Sequence, residues 1–170
     1  MHEFAPKPKK TKEKIIMSVS LLLGAVSYGV GTLLPYPALY QLFTVLCLTA
    51  AVLITVRYLL RDYIYRVMLK EDGALDLTVT EIMGKKRTVV CRISAEDIKA
   101  ITPLAVVSRK ELYKKCKGKP LYRYVSELQP QEVYLLEIFD ERTPYYLEIS
   151  ADKTLIALLK SDEKQYLSDL

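Results

Sequence analysis

Apolar residues follow two different patterns along the chain. Between Ile15 and Val56 no side chain carries a charge, and most side chains are apolar. After Arg57, apolar and polar positions alternate, as in the stretch from Leu75 to Val79. A long apolar stretch is typical of membrane helices, whereas alternation is typical of strands with one buried face. The pattern therefore predicts a helical membrane segment followed by a β domain.

The uncharged stretch is long enough for two membrane helices. Residues 15–34 and 38–56 comprise 20 and 19 uncharged positions. At ~1.5 Å per residue, each segment spans about 30 Å, the thickness of the hydrocarbon core of a bilayer. The Pro-Tyr-Pro sequence at 35–37 interrupts the helical pattern, because proline cannot donate a backbone hydrogen bond and disfavours a helical residue before it. We therefore predict a transmembrane hairpin over residues 15–62.

Basic residues flank both ends of the predicted hairpin. Residues 1–14 form a basic tail with five lysines and two glutamates, and Arg57, Arg61 and Arg66 follow the second helix. The turn holds no basic residue. Segments rich in lysine and arginine remain on the cytoplasmic side of a membrane. We therefore expect a multi-pass protein of the cell (inner, cytoplasmic) membrane with both termini in the cytoplasm.

Two alternatives remain for the apolar stretch. A cleaved signal peptide would end near the small residues Ala25 and Ser27, although the apolar stretch continues past that point without a polar mature start. A buried hairpin in a soluble protein is the second alternative. It would need a larger partner than the 114 residues of 57–170, because two uniformly apolar helices must then be covered on all sides.

Small residues recur along one face of each predicted helix. In lipid, such residues let two helix backbones approach closely. We expect these two stripes to pack the hairpin together, and oligomerisation through one of them is the alternative. No charged residue lies within either helix, which argues against a transport pathway. The stripes consist of Ser20, Gly24, Ser27 and Gly31 in the first helix and Thr44, Cys47, Ala51 and Thr55 in the second.

Residues 63–170 have the pattern of a small cytoplasmic β domain. About seven short apolar or alternating stretches predict strands, separated by turn sequences such as the one at 84–86. A serine-capped helical turn is expected to open at 94–97 and run into Ile98 and Ile101 until Pro103 ends it, and an amphipathic helix is expected from about residue 152 onwards. Successive short strands favour an antiparallel sheet folded on itself, with the terminal helix covering an open end. The fold class is thus a membrane α-hairpin plus an α+β or mainly-β domain.

This order of elements resembles bacterial two-pass membrane proteins with a pleckstrin-homology-like (PH-like) cytoplasmic domain. The resemblance rests on the segments 63–69, 74–79, 84–87, 89–93 and 96–101. It implies an antiparallel barrel of about seven strands with a C-terminal capping helix. It does not imply an enzyme, since the family is largely uncharacterised. No motif marks a functional residue that could be carried over to this sequence.

The sequence lacks the usual parts of a catalytic site. Its only histidine is His2, in the basic tail, so a Ser-His-Asp or Cys-His site would have no base of its own. Glu137 and Glu148 occur singly on predicted strands, and no glycine-rich phosphate loop is present. We therefore expect no enzymatic activity, and no cofactor.

The three cysteines do not predict a metal site. Cys47 lies in the second helix, while Cys91 and Cys116 are far apart in the β domain, without a zinc or C-x-x-C spacing. Cys91 is expected in the core. Cys116 stands among lysines that could lower its pKa, although an incidental loop thiol is the simpler interpretation.

One basic segment, 109–123, remains as a candidate for binding. Basic residues near an inner leaflet gain about 1 kcal/mol each from anionic lipid. The alternative is a solvated loop. Nucleic acid is disfavoured, because residues 57–170 carry a net charge of only +2 out of the total of +5. The candidate contacts to anionic lipid or an anionic partner are Lys85, Lys86, Arg87, Arg109, Lys110, Lys114, Lys115, Lys117, Lys119 and Arg123.

These features together predict a non-enzymatic interaction or scaffold protein anchored in the membrane. Its partners would be the lipid bilayer, anionic headgroups, and another protein or further copies of the same chain. The alternative is an assembly factor or accessory subunit, whose hairpin packs against a larger membrane complex. That alternative predicts that the small-residue stripes face a partner.

Overall fold

The computed structural model describes residues 2–70, 73–104, 111, 114, 116–130, 132–139 and 143–168, with side chains up to residue 160. The described chain forms two compact units. The hairpin unit contains residues 8–62 together with 126–128, and the β unit contains the remainder.

The hairpin unit contains two apolar helices. Helix α1 spans Thr11–Gly31, and helix α2 spans Pro37–Ile54 and continues as a π-helical turn over Thr55–Leu59. The two spans, of 21 and 23 residues, are long and apolar enough to cross a membrane by length and composition. Most of their large apolar side chains are exposed, as shown by Leu22 with 66% of its surface accessible. The predicted pair of apolar helices is therefore confirmed.

The ends of the helices differ from the sequence prediction. Helix α1 begins at Thr11 rather than residue 15, because Lys12, Glu13 and Lys14 are good helix formers that extend the helix beyond its apolar part. The turn occupies residues 32–36 rather than 35–37. It ends at Tyr36, which has a left-handed backbone with φ of 70°. Proline suits the next position, the first of α2, because its missing N–H would have no partner there.

The first sheet of the β unit has four strands. They are β1 (His2–Phe4), β2 (Arg61–Leu69), β3 (Leu75–Met83) and β4 (Lys86–Ser94), in the spatial order β1-β2-β3-β4. Strand β1 runs antiparallel to β2, and β3 runs antiparallel to β4. The second pair contains a bulge, because Val79 pairs with Cys91 while Thr80 pairs with Val89. Val90 is therefore the extra residue in the ladder.

The second sheet also has four strands among the described residues. They are β5 (Ile98–Pro103), β6 (Leu121–Tyr124), β7 (Val133–Phe139) and β8 (Pro144–Ser150), in the order β5-β7-β8-β6. Strand β6 runs parallel to β8, and the other neighbours are antiparallel. A 3-10 turn at Ala95–Asp97 joins the two sheets, but the Ser94 side chain makes no capping hydrogen bond. The predicted continuation of this helical turn to Ile101 is wrong, because Ile98–Pro103 pairs with β7 as a strand. Helix α3 (Lys153–Ser168) follows β8, and the carboxylate of Asp152 caps it by accepting a hydrogen bond from the amide of Leu155 (2.9 Å).

The core of the β unit lies between the two sheets and α3. Its fully buried side chains come from every layer, for example Tyr65 and Leu77 from the first sheet, Leu147 and Ile149 from the second, and Leu155 from α3. The helix thus covers the sheets as predicted. Each strand has one face toward this core, which explains why alternate residues in β2, β3, β7 and β8 are apolar.

Two expectations about the β unit need correction. The described residues form eight strands rather than about seven, and the two sheets do not close into a barrel. Two of the described strands were not predicted: β5, in a segment assigned to a helical turn, and β1, from residues 2–4, which the sequence assigned to the basic tail. Strand β1 occupies the outer edge of β2.

Candidate interaction site

The small-residue stripes of the hairpin lie against each other. An added Cβ at Gly24 would be 3.4 Å from the Cβ of Cys47, and one at Gly31 would be 2.4 Å from the Cβ of Tyr40. The hydroxyl of Ser27 donates a hydrogen bond to the carbonyl of Tyr40 (3.1 Å), and the hydroxyl of Thr44 donates to the carbonyl of Gly24 (3.3 Å). The two backbones therefore approach most closely where side chains are smallest.

The remaining members of the stripes are placed less centrally. Ala51 is buried, and the hydroxyl of Thr55 donates to its carbonyl (2.8 Å) within the same helix. Ser20 is half-buried. The closest approach of the two helices thus involves Gly24 and Gly31, nearer to the turn than to the base.

A lysine that the sequence did not single out organises the base of the hairpin. The side chain of Lys10 is 10% exposed, and its ammonium group lies 2.7 Å from a carboxylate oxygen of Asp62. The same Nζ donates hydrogen bonds to the carbonyls of Leu59 (3.2 Å) and Arg61 (3.0 Å). The cation therefore satisfies carbonyl groups that the end of the second span leaves without a helical partner.

The first turn of α1 is held from a different part of the chain. Glu13 is 3% exposed, and its carboxylate accepts a hydrogen bond from the amide of Leu128 (2.6 Å). The carboxylate of Glu127 accepts one from the amide of Lys9 (2.8 Å). Two carboxylates at the N-terminus of a helix are favourable, because its unpaired amides carry a partial positive charge. Residues 126–128 thereby form part of the hairpin unit. No sequence pattern predicts this network, because its lysines and glutamates resemble the other charged residues of the basic tail.

The predicted basic residues divide into three groups. Lys85, Lys86 and Arg87 are exposed at the turn between β3 and β4, and Lys114 and Lys117 are exposed in the connection between β5 and β6. Two others contact side chains of the β unit: Lys119 lies over the ring of Tyr146, and Arg123 pairs with Glu148. Arg109, Lys110 and Lys115 lie outside the described residues.

Arg123 is held by a carboxylate on the outer face of the second sheet. Its guanidinium contacts both carboxylate oxygens of Glu148, at 2.6 and 3.2 Å, and the glutamate side chain is only 9% exposed. A two-point ion pair of this kind fixes both side chains. Nearby, the ammonium group of Lys119 lies 5.4 Å from the ring centre of Tyr146. Arg123 therefore presents its charge to Glu148 rather than to an external ligand.

The second carboxylate on this face, Glu137, accepts a hydrogen bond from the hydroxyl of Tyr146 (3.1 Å). Burial and this hydrogen bond to a carboxylate raise the pKa of Tyr146 to about 12. Cys116 is buried against Tyr146 and Leu135, in a small apolar cluster on the same face. Glu137 and Glu148, which the sequence shows singly, thus share one face of the sheet, but each has its own fixed partner. We therefore interpret the paired side chains on this face of the sheet as structural.

The thiols agree with this interpretation. Burial raises the pKa of the Cys91 thiol, which packs against the core. Cys116 is 6% exposed. A thiolate nucleophile requires an accessible, electropositive site. Among the described residues, no group of three or more histidine, cysteine, aspartate or glutamate side chains could hold a metal ion.

The chain was also compared with known proteins. No family model, no curated protein and no solved structure matches it. The resemblance to PH-like membrane proteins therefore stays a prediction from the order of elements.

Proposed function

We propose that this chain is a non-enzymatic, two-pass membrane protein that presents its β unit as an interaction module at the cytoplasmic face of the cell membrane. The hairpin anchors the module in the bilayer. The module binds a protein partner, further copies of itself or anionic headgroups. Tethering at a surface raises the effective concentration of such contacts, so that weak binding suffices.

One observation carries the proposal: the strands on either side of the hairpin are neighbours in one sheet. Strand β1 precedes α1 and β2 follows α2, and they pair with Phe4 opposite Tyr65 and His2 opposite Val67. Paired strands lie about 5 Å apart, whereas the hydrocarbon core of a bilayer is about 30 Å thick. This pairing supports two passes with both ends on one side. A cleaved signal peptide would remove β1 and is disfavoured for that reason.

The direction of insertion and the tether length support the same proposal. Lysines precede α1 and arginines follow α2, which favours the cytoplasm for both ends. One residue, Leu60, separates the end of the π-helical turn from the start of β2.

Cysteine labelling in intact cells tests this arrangement. Cys47, Cys91 and Cys116 are first replaced by alanine, and single cysteines are then introduced as Leu33→Cys in the turn or Lys153→Cys at the start of α3. A membrane-impermeant maleimide is expected to label the turn in intact cells and position 153 only after permeabilisation. Labelling at position 153 in intact cells would reject the proposal.

The alternative, an accessory subunit of a larger membrane complex, has one observation in its favour. An apolar groove of about 490 Å³ lies between α1 and α2 beside the turn and would accept side chains of another membrane helix. Its walls include Leu23, Val26, Val30, Leu39 and Phe43. The expectation that the small-residue stripes face a partner receives no such support, because Gly24 and Gly31 face the neighbouring helix of the hairpin. An accessory subunit would be degraded rapidly when produced without its complex, whereas an autonomous anchor would accumulate in the membrane.

A further inference from the structure

The turn between β3 and β4 combines exposed basic and apolar side chains. Lys85, Lys86 and Arg87 are exposed, and none of them forms an ion pair in the described part of the chain. Met83 pairs with Lys86 beside the turn and is 40% exposed, whereas Val89, which is 59% exposed, pairs with Thr80 farther along the hairpin. Gly84 has φ of 60° at the first position of a two-residue turn, a conformation that favours glycine. The tip of this hairpin therefore presents three cations beside one exposed apolar side chain, Met83.

Strand directions place this turn at one particular end of the first sheet. Strands β2 and β3 each have nine residues, and the amide of Lys70 donates to the carbonyl of Ala74 (2.8 Å) where the chain reverses between them. If residues are counted back along β2 and β3 from this reversal, Met83 in β3 lies opposite Arg61 in β2. Arg61 is the first residue of β2 and lies two residues after the end of the second membrane span. The turn thus returns to the end of the sheet at which the chain arrives from the hairpin.

We propose that the β3–β4 turn binds the anionic headgroups of the bilayer that holds the hairpin. This inference rests on the proposed function, because it requires the two helices to span that bilayer. The ammonium and guanidinium groups would bind lipid phosphates, and Met83 would enter the interface between headgroups and acyl chains. Each basic residue that reaches an anionic surface strengthens binding by about fivefold, so that the three together contribute about a hundredfold.

The contacts of the other basic residues favour this turn over the segment 109–123. Arg123 is paired with Glu148, and Lys119 lies over Tyr146. An acidic protein partner is the rival ligand for the same cations. The membrane is favoured because the chain connection already brings this end of the sheet within two residues of the bilayer anchor.

Hydrogen exchange of the full-length protein in lipid nanodiscs tests the inference. Nanodiscs contain either zwitterionic phosphatidylcholine alone or a mixture with phosphatidylglycerol, at low and high salt. The amides of residues 84–88 are expected to exchange at least fivefold more slowly in the anionic nanodiscs at low salt, and high salt should remove the difference. The variant Lys85→Gln/Lys86→Gln/Arg87→Gln should exchange at the zwitterionic rate in both bilayers.

A matched variant and an internal reference separate the outcomes. The variant Lys117→Gln/Lys153→Gln/Lys160→Gln removes the same charge from other exposed positions and should keep the lipid-dependent protection. Exchange in α1 and α2 reports whether the hairpin is embedded. Fast exchange in both helices would reject the proposed function itself. Protected helices with the same exchange at the turn in both lipids, or equal loss of protection in the two triple variants, would overturn the inference alone.

Discussion

The hydroxyl of Tyr65 in β2 donates a hydrogen bond to the backbone carbonyl of Tyr124 in β6, so that one side chain joins the two sheets of the β unit. The same oxygen accepts a hydrogen bond from the amide of Ser150 in β8 (3.3 Å). Burial raises the pKa of Tyr65 well above its usual value. Since no ladder of backbone hydrogen bonds crosses between the described strands of the two sheets, this phenol is a specific link between them.

Removing that hydroxyl should destabilise the β unit. The substitution Tyr65→Phe leaves the Tyr124 carbonyl and the Ser150 amide without this partner, and we expect a loss of about 1–3 kcal/mol in the free energy of unfolding. Chemical denaturation of the protein in detergent micelles measures it. Tyr122→Phe is the control, because Tyr122 is 49% exposed and should change stability little. Equal effects of the two substitutions would contradict the role assigned to Tyr65.

Alkaline pH should weaken the β unit through its buried phenols. An unfolded tyrosine loses its proton near its ordinary pKa of 10.0, whereas folded Tyr146 holds it up to about 12. Between these values the unfolded state binds fewer protons, so the free energy of unfolding falls as pH rises. Denaturation at a series of pH values from neutral upwards should show this fall, and Tyr146→Phe should make it shallower. An unchanged slope in that variant would show that Tyr146 is not responsible.

The ammonium group of Lys10 should be required for the base of the hairpin. Lys10→Met keeps the apolar stem but removes the donor to the carbonyls of Leu59 and Arg61 and the partner of Asp62. Since the lost hydrogen bonds are part-buried, we expect a cost of about 1–3 kcal/mol, measured as earlier unfolding of the hairpin in mixed micelles. Lys14→Met, at an exposed position of the same helix, should be close to neutral. The interpretation fails if both variants unfold alike.

The hairpin should tolerate a methyl group at Gly29 but not at Gly31. An added Cβ at position 31 would lie 2.4 Å from the Cβ of Tyr40, whereas one at position 29 meets nothing within 4 Å. Gly31→Ala should therefore force the helices apart near the turn, and Gly29→Ala should not. Energy transfer between fluorophores attached to the two helices measures the separation. A hairpin that keeps its wild-type spacing with Gly31→Ala would disprove this packing.

A cross-link across the seam offers a chemical test of the same packing. A Cβ added at position 24 lies 3.4 Å from that of Cys47, close to the Cβ separation found in disulfides. Gly24→Cys should therefore form an intramolecular disulfide with Cys47 when membranes are oxidised, detectable as a mobility shift that reductant reverses. The control Gly29→Cys should give no such shift. Only intermolecular dimers with Gly24→Cys would argue for oligomerisation through the stripe.

The sequence predicted those elements whose signal is local. The two apolar helices follow from an uncharged stretch of sufficient length, and β3 and β4 follow from alternation around a glycine turn. The pairing of β1 with β2 was missed, because residues 2–4 are too few for a periodic pattern and their partner lies about sixty positions later. The parallel position of β6 beside β8 was missed for a similar reason. Such pairings depend on which backbone edges the completed fold leaves available.

The candidate site shows the same limit. The sequence indicated exposed lysines, but it could not separate Lys10, buried at the base of the hairpin, from the exposed Lys12 and Lys14 of the same tail. It also could not show that Arg123 is neutralised by Glu148, since the two meet only through the register of β6 against β8. Composition reports how many charges are present, while their partners are set by tertiary contacts.

The pairing of β1 with β2 also determines the order in which the molecule can be completed. The ribosome makes His2–Phe4 before α1, yet the residues that pair with them, 65–67, emerge only after both helices have been synthesised. If the hairpin spans a bilayer as proposed, the first sheet stays unfinished until both helices have entered it and returned the chain to the side from which it started. A nascent chain whose second helix fails to insert would leave Phe4 and the edge of β2 uncovered, in a form that cellular proteases can recognise and remove.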